Sequence, residues 1–151
     1  MKKLFFIYLL AFVSNYNVTA QSKWAVIGKI ENGVPVLTIN KTEVLKAFNA
    51  NLLSISKIDG KFSDVTILST DEGNYLLVFK GSVYKASLFV RKQSTRLEAL
   101  TTTSCLTSSC STEPRGCVVM YDSSERGYCS PCGNGGGCTK TSSGTSLIEK
   151  F

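Results

Sequence analysis

The chain has 151 residues with 17 Lys and Arg against 11 Asp and Glu, a net charge of +6, 43% hydrophobic residues and six cysteines. That is enough chain for one domain with a real core, or one domain plus a small appendage. Histidine is absent, which excludes Ser-His-Asp and Cys-His nucleophilic chemistry, imidazole acid–base catalysis near neutral pH and every His-bearing metal site.

Residues 1–20 have the three parts of a secretory signal peptide: Lys2 and Lys3, an apolar run over 4–13, and small residues at Val18-Thr19-Ala20. The apolar run falls well short of the roughly 20 residues that a membrane-spanning helix needs. Cleavage after Ala20 is expected, leaving 131 residues with a net charge of +4 once Lys2 and Lys3 are gone. No second apolar run follows, so the mature chain is expected to have no membrane span. Its charges are scattered, and no Lys/Arg block interleaved with aromatics suggests nucleic-acid binding.

Residues 21–103 read as an α+β domain. Two β-prone runs, 24–30 and 34–39, flank Glu31-Asn32-Gly33, and Asn-Gly between such runs predicts a hairpin through a type I′ turn. Pro35 places the second run at a sheet edge or delays its start. Asn40 and Glu43 fit the N-cap and N3 positions of a helix. Ile39 and Val44 form its hydrophobic staple. Leu45, Phe48, Leu52 and Ile55 recur at helical spacing, and Asp59-Gly60 is the expected stop.

From Lys61 onward the period is two. Residues 62–69, 75–80, 83–91 and 95–102 read as four strands, with turns at Asp71-Glu72-Gly73-Asn74 and Lys80-Gly81-Ser82. The expected fold is one helix packed on a curled antiparallel sheet in the order ββαββββ, followed by a small disulfide-rich segment. The element order is similar in outline to cystatin-like and related helix-on-sheet folds, a likeness of architecture that carries no activity. Along the third of the four strands Lys85, Ser87, Phe89 and Arg91 share one face. Alternation predicts that this face is wet, and Lys85, Phe89 and Arg91 are its candidate binding residues.

Residues 104–138 form a cysteine-rich segment holding Cys105, Cys110, Cys117, Cys129, Cys132 and Cys138. Its Ser, Thr and Gly content cannot build an apolar core, so covalent closure is expected. An even count in an exported chain predicts three disulfides, among whose connectivities the sequence does not choose. Residues 116–128 read as a small hairpin closed by Cys117 and Cys129. Asp122 and Glu125 in its turn could touch a cation, although turn solvation explains them more simply. Cys129 and Cys132 with Cys117 and Cys138 could alternatively ligate zinc.

Cys129-Ser130-Pro131-Cys132 resembles the Cys-x-Pro-Cys of thioredoxin-type oxidoreductases, which would imply a dithiol site; in that family the motif opens a helix, whereas glycines follow it here. The run from Pro131 to Cys138 (Pro-Cys-Gly-Asn-Gly-Gly-Gly-Cys) resembles a loop of epidermal-growth-factor-like modules and implies a tight turn. Residues 139–151 are expected to form a flexible tail, with Leu147 and Ile148 able to return to the body.

The sequence therefore reads as an exported, non-enzymatic interaction or structural protein with an unidentified protein or surface partner and no cofactor or metal. A secreted thiol-redox or zinc protein working through Cys129 and Cys132 is the alternative. No nucleophile–base pair and no carboxylate pair suggests a hydrolase.

Overall fold

A computed structural model describes residues 23–71, 73–122 and 127–148. The expected signal peptide and cleavage point lie outside these residues. Strands β1 (Trp24–Glu31) and β2 (Val34–Leu37) form the expected hairpin, with Glu31 opposite Val34. Asn32 and Gly33 turn the chain at φ of 50° and 81°, as a type I′ turn requires. Pro35 lies on β2, which ends the strand order. The ladder between β1 and the later strand β6 shifts register between Val26 and Gly28. A Cβ on Gly28 would sit 2.2 Å from the Val36 carbonyl oxygen, so β2 approaches β1 closer than any side chain allows.

Helix α1 (Lys41–Ser56) starts where expected: Asn40 Oδ1 accepts from the Thr42 and Glu43 amides at 2.9 and 3.3 Å. It stops before Asp59-Gly60. Lys57 takes a left-handed conformation and donates its N–H to the Leu53 carbonyl, closing the helix without glycine. Val44, Phe48 and Leu52 are buried, whereas Ile55 is exposed. Asn49 fastens the helix to the next strand, donating to the Phe62 carbonyl and accepting the Phe62 amide, both at 2.9 Å.

Strands β3 (Asp64–Ser69), β4 (Tyr75–Lys80), β5 (Lys85–Gln93) and β6 (Arg96–Leu100) follow as an antiparallel meander. The chain then continues into β7 (Thr103–Thr107), which pairs with the beginning of β5 while β6 pairs with its end. Thr101 and Thr102 separate the two halves. The Thr101 amide donates to the Lys23 carbonyl, and the Thr101 and Thr102 carbonyls accept the Leu147 and Ser143 amides, so these groups stay partnered across the interruption. Beyond it the sheet branches, with β1 and β2 alongside β6, and the last strand, β10 (Thr139–Ser142), alongside β7. β2 comes to lie against β3, so the eight-stranded sheet nearly closes. Its interior holds Ile27, Phe48, Val65, Leu77, Phe79 and Leu88, all fully buried, with Phe48 stacked on Phe79 at 3.9 Å between ring centroids.

One helix and ten strands among the described residues make the chain mostly β, so the α+β expectation holds only roughly. The four expected strands after the helix are present, and the order ββαββββ is continued by β7 to β10. β7 and β10 belong to the main sheet although the first lies in the cysteine segment and the second in the expected tail. Leu147 and Ile148 are fully buried in the main core. No helix among the described residues is long and apolar enough to cross a membrane.

A two-stranded hairpin, β8 (Val119–Tyr121) with β9 (Gly127–Cys129), lies over the outer side of the sheet. Three disulfides hold it there: Cys105–Cys129, Cys110–Cys132 and Cys117–Cys138. The expected closure of the hairpin by Cys117 and Cys129 does not occur. The ladder places Cys129 opposite Val119, leaving Cys117 two positions out of register and free to reach Cys138. No cysteine is free, and three disulfides fit an oxidising, exported environment.

Candidate functional site

The site begins with the outward residues of β5. Lys85, Ser87, Phe89 and Arg91 share a face as the alternation predicts, but this face is not wet. Lys85 is 3% and Phe89 9% exposed, and Ser87 is fully buried. The Lys85 ammonium donates to the Glu113 and Gly116 carbonyls, and Ser87 Oγ accepts the Val119 amide at 3.1 Å. These two residues anchor the cysteine segment to the sheet. Burial pushes the Lys85 ammonium below the ordinary lysine range, while the nearby Glu113 carboxylate pulls it back up and Lys80 adds a small repulsion.

Phe89 stacks on Tyr121 of β8 at 5.2 Å, and Trp24 meets both rings edge-on at 6.3 and 6.1 Å. Arg91 directs Nε and Nη2 to Glu98 Oε2 at 3.0 and 2.8 Å, and its guanidinium lies 4.0 Å from the centre of the Trp24 ring. Of the three candidate binding residues, only Arg91 reaches solvent appreciably. Alternation shows which residues share a face and is silent on what covers it. The apolar run Val118-Val119-Met120-Tyr121 was the signal that the cysteine segment had something to cover.

Cys129 and Cys132 belong to different bridges, so their Cys-x-x-Cys spacing closes no redox disulfide. The four cysteines considered for zinc are spread over all three bridges, leaving no thiolate to ligate. The glycine loop makes the implied tight turn. Gly135 has φ of +73° and donates to the Cys132 carbonyl, while Asn134 accepts from the Gly136 amide and donates to the Ser109 carbonyl at 2.8 Å. Thr107 ties this loop to β7: its hydroxyl donates to the Gly137 carbonyl at 2.7 Å and accepts the Ser109 and Cys110 amides. Glu125, the second carboxylate of the candidate cation pair, lies outside the described residues.

Where the hairpin leaves the outer sheet uncovered, a cleft of about 610 Å³ remains between the β3–β4 turn and the run from Pro114 to Tyr121. Leu76 and Phe89 of the sheet and Val118, Val119 and Met120 of the cysteine segment form its apolar floor. Thr70 shapes one lip, its hydroxyl accepting the Asn74 amide at 3.1 Å. Arg115 and Asp71 form an ion pair across the mouth, with side chains 82% and 71% exposed. The volume falls within the range of small-molecule sites, roughly 300–1,000 Å³. Among the expected binding residues only Phe89 lines it.

Comparison with protein-family models, with curated proteins and with solved structures finds no match to this chain.

Proposed function

We propose that the chain is an exported binding protein without catalytic chemistry of its own, delivered by a signal peptide over residues 1–20 and using the cleft beside Phe89 as its binding site. The cleft itself carries this reading. Its floor is apolar, and the titratable side chains among its described lining residues are Tyr121 and the solvated pair Arg115 and Asp71. That wall offers a place to bury apolar surface and no nucleophile–base arrangement to act on what is buried. The disulfides serve as fixed walls, because Cys110–Cys132 and Cys117–Cys138 brace the loops on either side of Val118. The thiol-redox alternative lacks a closed Cys129–Cys132 pair and falls behind.

A thermal-shift screen of small organic compounds, with each hit recovered and weighed by mass spectrometry, tests the reading. Hits should raise the melting temperature of the native chain, lose that effect in a Met120→Asp variant that places a charge in the apolar floor, and be recovered unchanged in mass. A hit converted to a product, or stabilisation indifferent to Met120, contradicts it.

A further inference from the structure

The lining of the cleft restricts what it can hold; the argument rests on the proposed reading that the cleft is the binding site. Arg115 and Asp71 are the fully charged side chains among its described lining residues. They neutralise each other at the mouth and stand in water, so neither reaches the floor as a free counter-charge. A charged ligand atom seated against Leu76, Val118 or Met120 would be stripped of water with nothing to replace it, a penalty of several kcal/mol for an unpaired ion. The lip instead provides neutral groups: Ser69 and Asn74 line it, while the Thr70 hydroxyl is engaged with the Asn74 backbone. Such groups can orient a ligand hydroxyl, amide or ether without demanding charge. The stacked rings of Phe89 and Tyr121 also line the cleft, adding apolar surface.

We infer that the cleft takes an uncharged, largely apolar small molecule and discriminates against anionic analogues of the same shape. The basic balance of the chain, +6 overall and +4 once Lys2 and Lys3 are removed, suggests the opposite preference, so the two expectations separate cleanly.

The probes are N-phenyl-1-naphthylamine and 8-anilino-1-naphthalenesulfonate, which share an anilinonaphthalene body and differ by a sulfonate. Trp24 is the single tryptophan of the chain and touches both Phe89 and Tyr121. Energy transfer from Trp24 reports probe bound to the oxidised protein, and its loss in variants of the lining residues places that probe in the cleft. The uncharged probe should saturate at one per chain and bind about tenfold or more tighter than the sulfonate. Met120→Asp should weaken the uncharged probe by about tenfold or more. Ser69→Tyr, on the opposite and exposed lip, should weaken it as well and serves if the first variant fails to fold. Lys46→Ala, on the exposed side of the helix and outside the cleft lining, should leave it within about twofold. Equal or tighter binding of the sulfonate, still sensitive to Met120→Asp or Ser69→Tyr, would overturn the inferred ligand class and leave the cleft as the site. No saturable binding of either probe, or binding indifferent to both variants, would overturn the class and the underlying reading together.

Discussion

Lys85 illustrates how a residue's role depends on what is laid over it. A lysine on the outer face of a strand ordinarily points its ammonium into water. Here a loop from the cysteine segment covers it, and the ammonium satisfies the buried Gly116 carbonyl and the partly buried Glu113 carbonyl. Lys85→Met keeps the stem and removes the donors, and should destabilise the fold by about 1–3 kcal/mol in urea denaturation at pH 7. The pH dependence has a definite sign. Burial lowers the folded pKa, so below that value both states hold the proton and the desolvation penalty is fully present. Between it and the unfolded value of about 10.4 the unfolded chain holds more protons, and this group's contribution to stability rises with pH. The Lys85→Met variant should lack that rise, as denaturation series at pH 8 to 10.5 would reveal. Thr107→Val makes a complementary case: it preserves shape and deletes a hydroxyl that joins three backbone groups of the cysteine segment. A loss of about 2 kcal/mol in the same assay is expected.

At the scale of elements, local chemistry accounts for the hairpin and the helix start. Asn32-Gly33 and Asn40 act through their own backbone and nearest neighbours, which is why both were legible in the sequence. The helix stop was misplaced because Lys57 adopts a left-handed conformation that sequence assigns to glycine. β7 and β10 were missed for a different reason. They are short, rich in Ser, Thr and Lys, and acquire their ladders from partners distant in sequence, such as Cys105 opposite Lys140. Gly28 and Gly33 provide a contrast at this scale. A Cβ at Gly33 meets nothing, so Gly33→Ala should incur only the positive-φ strain of about 1–2 kcal/mol. At Gly28 the Val36 carbonyl blocks the position, and Gly28→Ala should destabilise by about 3 kcal/mol or more through displacement of β2. Calorimetric melting of the two variants side by side would check the order.

The whole molecule has a sheet with two buried faces. The inner one is filled by the helix and core, and the outer one is partly covered by a segment held by three bridges. Sequence patterning identified the covalent closure but treated it as an appendage, because nothing local in residues 104–138 states that Val118 and Val119 pack on Leu76, Val78 and Phe89. The connectivity, first cysteine to fourth, second to fifth and third to sixth, interleaves three loops with sequence separations of 24, 22 and 21 residues. Closing any one such loop contributes about 3 kcal/mol through the unfolded chain, and the overlap of the loops makes the sum smaller than three independent terms. Fixing the cover in this way also fixes the gap beside it, and the cleft depends on the pairing being the one observed. Disulfide mapping of the purified protein, by non-reducing digestion at acid pH followed by mass spectrometry with prior thiol alkylation, tests this most directly. Peptides linked Cys105–Cys129, Cys110–Cys132 and Cys117–Cys138, with no alkylated cysteine, are predicted. A Cys129–Cys132 link, or alkylation of those two cysteines before reduction, would contradict the account and restore the motif as a redox centre.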